Sequence, residues 1–163
     1  MNQKRLVPMM MMAFFGLMVL MILSNSTFMT IDSGEKGVLF KRFGDGLQKD
    51  KIYGQGFHVV APWNDMFVYN IQTMEDFEKM EVLSKNGLTI AVELSFRYQA
   101  TPDEIGYLHD EIGVAYLDKI LRPEIRSATR EVIGKYLPEE LYSTKREAIQ
   151  DEVLERTKEK VGK

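Results

Sequence analysis

"MEVLSKNGLTIAVELSFRY", residues 80–98, carries the pattern that decides the fold. After the Asn86-Gly87 pair, apolar residues from Ile90 to Tyr98 alternate strictly with small or polar residues. Strict alternation is typical of a strand with one buried face and one polar face. An Asn-Gly pair favours a two-residue turn in which both residues adopt positive φ. The stretch therefore predicts a β-hairpin that reverses at Asn86-Gly87.

Helix-start signals follow this hairpin directly. In "TPDE", Thr101 can cap a helix, Pro102 suits the first helical position, and Glu104 stands where a capping box places its acid. The pattern predicts a short helix that runs to about Asp110.

A longer helix is predicted further along the chain, because apolar residues recur there at spacings of three or four. Pro123 lies inside this helix and is expected to bend it, and Pro138 is expected to end it. A capping box at Thr144 then opens a charge-rich helix over residues 144–163. The apolar stripe of the longer helix consists of Leu117, Leu121, Ile125, Ala128, Val132 and Tyr136.

The part of the chain before the hairpin is β-like. Strands are expected at residues 36–43, 56–63 and 66–71, and the glycines at 44–46 mark a turn after the first of them. Strands first and helices later predict an α+β fold, with an antiparallel-rich sheet followed by helices.

The longer helix also carries arginine at every fourth position, at Arg122, Arg126 and Arg130. Such a stripe is usually a solvated helix face. In an assembly it can instead pair with the acidic surface of a neighbouring subunit. The second interpretation makes these three residues a candidate oligomer interface.

The N-terminal run "LVPMMMMAFFGLMVLMIL" extends from Leu6 to Leu23, includes Phe14 and Phe15, and contains no charge. A helix of this length spans about 27 Å, close to the roughly 30 Å hydrocarbon core of a bilayer. The run is longer than the apolar region of a cleaved signal peptide, and it lacks the polar face of a buried soluble helix. Of these three interpretations, a permanent transmembrane signal-anchor over residues 6–23 is the prediction.

The charges around this run predict its orientation. Lys4 and Arg5 precede it, whereas residues 24–32 contain no basic residue. The positive-inside rule then leaves residues 1–5 in the cytoplasm and exports the rest of the chain. The exported part would lie in the periplasm of a bacterium or, alternatively, in the intermembrane space of a mitochondrion, facing out from the inner membrane. A juxtamembrane linker over residues 24–35 is expected to lead into the domain.

A loop between two predicted strands offers a second membrane contact. "PWNDMF", residues 62–67, contains Trp63, Met66 and Phe67. On a domain tethered to a bilayer, aromatic residues at a hairpin tip can lie in the headgroup zone. The alternative is that these side chains pack under the sheet.

Charge and residue types exclude several kinds of function. All 24 acidic residues but only 19 of the 21 basic ones follow the apolar run, so this part has a formal net charge of −5, which argues against nucleic-acid binding. The chain has no cysteine, and neither His58 nor His109 belongs to a metal-ligand or catalytic motif. No catalytic, cofactor or metal site is predicted. The acids Glu75, Asp76, Glu78 and Glu81 are interpreted as solvated residues that protect a strand edge.

The order of four motifs resembles the stomatin/prohibitin family, also called SPFH or band-7 proteins. The motifs are "IDSGEKGVLFKRFGDG", "YGQGFHVVAPW", "SKNGLTIAVELSFRYQATPDEIGYLHDEIG" and "ILRPEIRSATREVIGKY…ELYSTKREAI". They cover residues 31 to about 153 and are most similar to the prohibitin branch. The resemblance places an SPFH domain at residues 36–143, followed by the start of a C-terminal charged helix at 144–163.

The resemblance implies a membrane-anchored scaffold and not an enzyme. Family members form rings or cages with themselves or with paralogous subunits, organise lipids and proteins laterally, and in several cases regulate a membrane AAA protease. It also implies that the loop at Trp63 and Phe67 lies against the bilayer, and that the helix from Arg122 to Arg130 contacts other subunits.

The sequence departs from the family pattern at two places. "NIQTM", residues 70–74, replaces a more basic family stretch, and the chain ends at "KEKVGK" where the family continues with a strand and a coiled coil. The sheet is therefore expected to have an unpaired edge.

The alternative function is a monomeric, membrane-tethered extracytoplasmic binding module. A membrane-anchored hydrolase would need a catalytic constellation that the sequence does not display.

Overall fold

The computed structural model describes residues 10–18, 27–142 and 145–162. Residues 10–18 are helical and include the exposed side chains of Phe14 and Phe15. Leu6 and Leu23, the ends of the predicted span, lie outside the described residues. Within the described ranges, no helix combines the length and the apolar character needed to cross a bilayer.

The chain divides into two compact units. The first comprises the residues up to Gln72 together with Ala100–Asp110, and the second comprises Thr73–Gln99 together with the residues from Glu111 onward. From Phe28 onward, antiparallel sheets precede the helices, so the predicted α+β class is confirmed.

The first unit contains two small antiparallel sheets. Strand β1 pairs with β4 in one, and β2 lies between β3 and β5 in the other. Its buried apolar residues come from both sheets and from helix α1. The elements are β1 (Phe28–Ile31), β2 (Glu35–Lys41), β3 (Gly46–Tyr53), β4 (Gly56–Val59), β5 (Asp65–Asn70) and α1 (Ile105–Glu111).

Strand β3 was not predicted, and β4 is shorter than expected. The sequence of β3, "GLQKDKIY", has three charged residues and no alternation, yet both of its ends pair with β2, with a register shift between Val38 and Phe40. The strand predicted at residues 56–63 ends at Val59, because a turn follows in which the Asn64 N–H donates to the Ala61 carbonyl over 2.9 Å.

Helix α1 begins three residues later than predicted, at Ile105. The residues expected to form its first turn make a β-turn instead, in which the Glu104 N–H donates to the Thr101 carbonyl over 3.0 Å. Gly106 is buried where α1 meets β3, and a Cβ at this position would collide with the backbone carbonyl of Lys49. The absence of a side chain therefore permits the close contact between helix and strand.

The second unit contains the predicted hairpin, made of β6 (Met74–Leu83) and β7 (Thr89–Tyr98). The alternation in β7 is confirmed: Ile90, Val92, Leu94, Phe96 and Tyr98 are half-buried and the residues between them are exposed. In the described parts of the chain, β6 and β7 pair only with each other.

The predicted two-residue turn of this hairpin is wrong. Five residues, Ser84 to Leu88, connect the strands, and the Gly87 N–H donates to the Ser84 carbonyl over 2.9 Å. Gly87 has a φ of +80°, whereas Asn86 has a negative φ and accepts a hydrogen bond from the Ser84 hydroxyl over 2.7 Å. A turn of this kind needs only one glycine-like residue, and the sequence pair alone did not distinguish it from the shorter turn.

The helices of the second unit begin with a π-helical turn, Leu117–Leu121, followed by α2 (Arg122–Ile133), α3 (Pro138–Leu141) and α4 (Arg146–Val161). The longer helix predicted over 117–136 is therefore divided and shorter. The Arg122 N–H bonds to the Leu117 carbonyl, five residues back, immediately before Pro123, which has no N–H to continue an α-helical ladder. Helix α2 ends at Ile133, before Pro138, and Pro138 is the first residue of α3. Thr144, the predicted start of the charge-rich helix, lies outside the described residues.

Candidate membrane-facing and assembly surfaces

The two-stranded sheet of β1 and β4 has an exposed aromatic face. None of its eight residues is Asp, Glu, Lys or Arg. Phe28 lies opposite Val59 in the register and stacks on Phe57, with 5.7 Å between ring centroids and 20° between ring planes. Phe57 and Val59 are 64% and 67% exposed. A contiguous exposed apolar surface is a candidate contact site for a membrane, a protein or a ligand.

Trp63 belongs to a second exposed aromatic pair. It lies in the turn after β4 and contacts Phe43, from the turn between β2 and β3, edge to face with 6.5 Å between ring centroids. Phe43 is 82% exposed and was not selected from the sequence. Met66 and Phe67 lie half-buried in β5, where the Met66 side chain covers Gly37. The structure therefore groups Trp63 with Phe43, and it places the other two predicted loop residues in a strand.

Phe67 lies against His109 of α1, with 4.0 Å between ring centroids. The Tyr69 hydroxyl is 2.6 Å from His109 Nδ1, and burial lowers the pKa of His109. A neutral imidazole can accept a hydrogen bond at Nδ1 from the Tyr69 hydroxyl. Phe67 and His109 border an open hollow of about 560 Å³, also lined by Phe40, Leu47 and Arg42.

His58 also has a local structural contact. Its Nε2 is 2.7 Å from the Gly54 carbonyl, and its ring meets Tyr53 edge to face. Among the described residues, no group of histidines and acids is arranged to hold a metal ion.

The acids of β6 are divided between its two faces. Glu75 and Glu81 are exposed as expected, but Glu78 is only 4% exposed and Asp76 is half-buried. The interpretation of all four acids as solvated residues is therefore wrong for Asp76 and Glu78. Alternation along β6 directs these two side chains toward α2.

Arg122 and Arg126 neutralise these two carboxylates. Arg122 Nη2 is 2.6 Å from Asp76 Oδ2, and Arg126 Nε is 2.7 Å from Glu78 Oε1. Arg122 also reaches the second oxygen of Glu78 at 3.5 Å. A buried carboxylate needs such partners, because an unpaired buried charge is strongly destabilising. Two of the three arginines predicted to contact other subunits thus form ion pairs within the chain, although Arg126 remains 44% exposed.

Arg130 has a different environment. Its side chain is exposed, and it forms no ion pair within the described residues. The structure therefore brings Arg122 and Arg126 together at β6 and leaves Arg130 accessible.

Helix α4 contacts α2 mainly through charged side chains. Glu131 accepts from Arg156 at 2.7 Å and lies 3.3 Å from Lys160, and these contacts hold the pKa of Glu131 below its usual range. Glu152 bonds the Tyr136 hydroxyl at 2.7 Å. Ile149 is the buried apolar residue of α4. This charged contact was not predicted, because no sequence spacing relates two separate helices.

Antiparallel sheets followed by helices, with an exposed aromatic surface on the first unit, define an α+β domain. The chain belongs to the SPFH domain / Band 7 family, whose model matches residues 29–163. The family indicated by the order of the four motifs is therefore confirmed.

Curated relatives of this chain are prohibitins. Prohibitin-4, mitochondrial, of Arabidopsis thaliana is 24% identical over 151 residues, which are 90% of this chain and 53% of that protein. Mitochondrial prohibitin complex protein 1 of Caenorhabditis elegans is 22% identical, covering 82% of this chain and 48% of its own. Prohibitin 1 of Drosophila melanogaster is 24% identical, covering 85% and 49%. The chain thus spans about half the length of the curated relatives it matches.

Proposed function

We propose that this chain is the membrane-anchored head of a prohibitin-like scaffold, which acts by assembling with copies of itself or with a paralogous subunit. The observation that carries the proposal is the exposed aromatic face of β1 and β4, whose first strand, β1, begins a few residues after the apolar run. Exposed phenylalanines beside a membrane anchor lose unfavourable contact with water when they enter the bilayer interface.

In this proposal, residues 6–23 span the membrane with the N-terminus in the cytoplasm and the SPFH domain on the exported side. That side is the periplasm in a bacterium and the intermembrane space in a mitochondrion. Trp63 and Phe43 form a further interfacial contact, because an indole ring prefers the headgroup level. Met66 and Phe67 lie half-buried in β5 and are not part of this exposed pair.

Assembly would give the scaffold its effect. Weak side-to-side contacts, repeated between copies held in one membrane plane, produce an avidity that no single contact supplies. Such an array would organise lipids and proteins laterally without catalysis. By the same geometry it would restrain the access of substrates to a membrane AAA protease, and co-purification of such a protease with the full chain tests this part.

Single-tryptophan quenching tests the membrane-facing surface, because Trp63 is the only tryptophan of the chain. The full chain is reconstituted in vesicles that contain lipids brominated at defined depths. Two Trp63→Phe backgrounds then carry the tryptophan elsewhere, as Phe57→Trp on β4 or as Phe77→Trp on the outer face of β6. Phe77 is a matched control because its exposure, 57%, is close to that of Phe57.

We expect brominated lipids to quench the fluorescence of the tryptophan at position 57 and at position 63, but not that of the tryptophan at position 77. Equal quenching at all three positions, or none at position 57, would contradict the membrane-facing role of the β1 and β4 sheet.

The open hollow beside His109 favours a second candidate function, a monomeric membrane-tethered binding module. A hollow of about 560 Å³ has the size of a small-molecule site. This function requires saturable binding of a ligand by a chain that remains monomeric in the membrane, and loss of that binding in a Phe67→Ala variant.

A further inference from the structure

An exposed line of residues runs along the π-helical turn and α2. Its charged members, Lys119, Arg126 and Arg130, are all basic and are here called the basic ridge. Pro123 and Gly134 continue the line at the same helical spacing and are also exposed. The nearby acid Asp118 lies beside this line and pairs with Arg122 at 3.2 Å. The basic ridge therefore presents three positively charged side chains at the surface, with Pro123 and Gly134 exposed along the same line.

Helix α4 carries the complementary surface. Glu147, Asp151 and Glu155 recur every fourth residue, are exposed, and are here called the acidic ridge. Glu155 pairs with Lys158 at 2.7 Å, whereas Glu147 and Asp151 form no ion pair within the described residues. Leu154, 52% exposed, lies beside the acidic ridge and adds apolar area to it.

The two ridges match in spacing as well as in sign. Arg126 and Arg130 are one helical turn apart, about 6 Å along the axis, and so are Glu147 and Asp151. Within one chain the ridges do not meet, because α4 contacts α2 through Ile149, Arg156 and other residues of its opposite face. Because the two ridges lie on different faces, each can pair only with another molecule, and a second copy of the chain carries the matching ridge.

We propose that the basic ridge of one copy docks on the acidic ridge of a second copy of the same chain. The inference rests on the proposed function as an assembling scaffold and adds the surfaces that join its subunits. The contact is head-to-tail, since each copy offers one ridge of each sign. Head-to-tail contacts close into rings or continue as filaments.

Charge reversal at Arg130 and Asp151 tests this pairing. Neither residue forms an ion pair within the described part of its own chain, so both can be replaced without disturbing the fold, unlike Arg126, which holds Glu78. We expect Arg130→Glu alone and Asp151→Lys alone each to weaken assembly of the reconstituted full chain by about tenfold or more, because like charges then face each other. Assembly is measured by chemical cross-linking at increasing protein-to-lipid ratio.

Mixing the two variants provides the decisive comparison. The glutamate introduced at position 130 of one variant would then face the lysine introduced at position 151 of the other. At the next interface, the unaltered Arg130 of the Asp151→Lys chain would face the unaltered Asp151 of the Arg130→Glu chain. The mixture is therefore expected to assemble like the unaltered chain. Because the chain contains no cysteine, Arg130→Cys and Asp151→Cys chains should also form a specific disulfide when mixed, and a Ser95→Cys chain should not join either.

The outcomes separate this inference from the function on which it rests. If the unaltered chain assembles and neither reversal weakens it, or if mixing does not restore assembly, the ridge pairing is overturned and the scaffold proposal stands. If the unaltered chain remains monomeric in membranes, both are overturned.

Discussion

At the scale of single residues, Glu78 shows how the chain retains a charge in its interior. The carboxylate is nearly inaccessible to water, and its charge is balanced by Arg126 and more distantly by Arg122. Pairs of this kind often contribute little compared with apolar residues of the same shape, but losing one partner leaves a buried charge uncompensated. Arg126 therefore has a structural role in addition to its place on the basic ridge.

The first prediction compares two arginines of α2. Arg126→Ala is expected to lower the free energy of unfolding by about 2–3 kcal/mol, because Glu78 loses its closer partner. Arg130→Ala removes an exposed side chain and is expected to change it by less than about 0.5 kcal/mol. Chemical denaturation of the full chain in detergent measures both. Equal effects of the two substitutions would show that the ion pair with Glu78 does not stabilise the fold.

The second prediction concerns pH. Burial lowers the pKa of His109 below its usual value of 6.5. As the pH falls, His109 is therefore protonated more readily in the unfolded chain than in the folded chain, and this difference destabilises the fold. The stability contributed by neutral His109 is present above pH 6.5 and is lost as the pH falls from there through the lowered pKa. His109→Gln should reduce this loss, and His58→Gln should leave it in place. Denaturation midpoints between about pH 7.5 and about pH 5 test the difference. Identical pH profiles for the three chains would remove His109 as the cause.

At the scale of elements, the sequence predicted best where one physical signal dominated. The alternation of β7 required one half-buried face, and the structure has it. Strand β3 has no such alternation, and its charged residues gave no sign of a strand. These side chains are stabilised by tertiary partners, as in the ion pair of Lys49 with Asp110 of α1. Such partners depend on tertiary structure and cannot be read from local spacing.

The candidate surfaces divide in the same way. Exposed Trp63 and the arginine stripe were visible as sequence patterns, but their surroundings were not. Phe28 and Phe57 are 29 positions apart and become one surface only through the pairing of β1 with β4. Asp76 and Glu78 were assigned to solvent because no local rule indicated that α2 would cover them.

The third prediction tests the contact between α1 and β3. Gly106→Ala is expected to lower the free energy of unfolding by about 1–3 kcal/mol, because the new methyl group meets the Lys49 backbone, which cannot rotate away. Gly54→Ala is the matched control, since no atom lies within 4 Å of the position that its Cβ would occupy. Thermal unfolding of the two variants measures the difference. A Gly106→Ala chain as stable as the control would mean that helix and strand do not approach each other so closely.

At the scale of the whole molecule, each unit is proposed to have a different task. The first unit carries the exposed aromatic residues proposed to meet the bilayer, and the second carries both charged ridges proposed to join neighbouring copies. Membrane contact alone would give a tethered domain, and only assembly makes the chain a scaffold. The two tasks can therefore be tested separately.

The measurement that tests the scaffold most directly is the mass of the particles that contain this chain after gentle extraction from membranes, determined by mass photometry in a mild detergent. We predict particles whose protein mass is a large multiple of the 18.8 kDa chain, and a shift toward single copies at high salt, which screens the charged ridges. Particles that contain one copy at every protein concentration and at low salt would contradict the scaffold proposal.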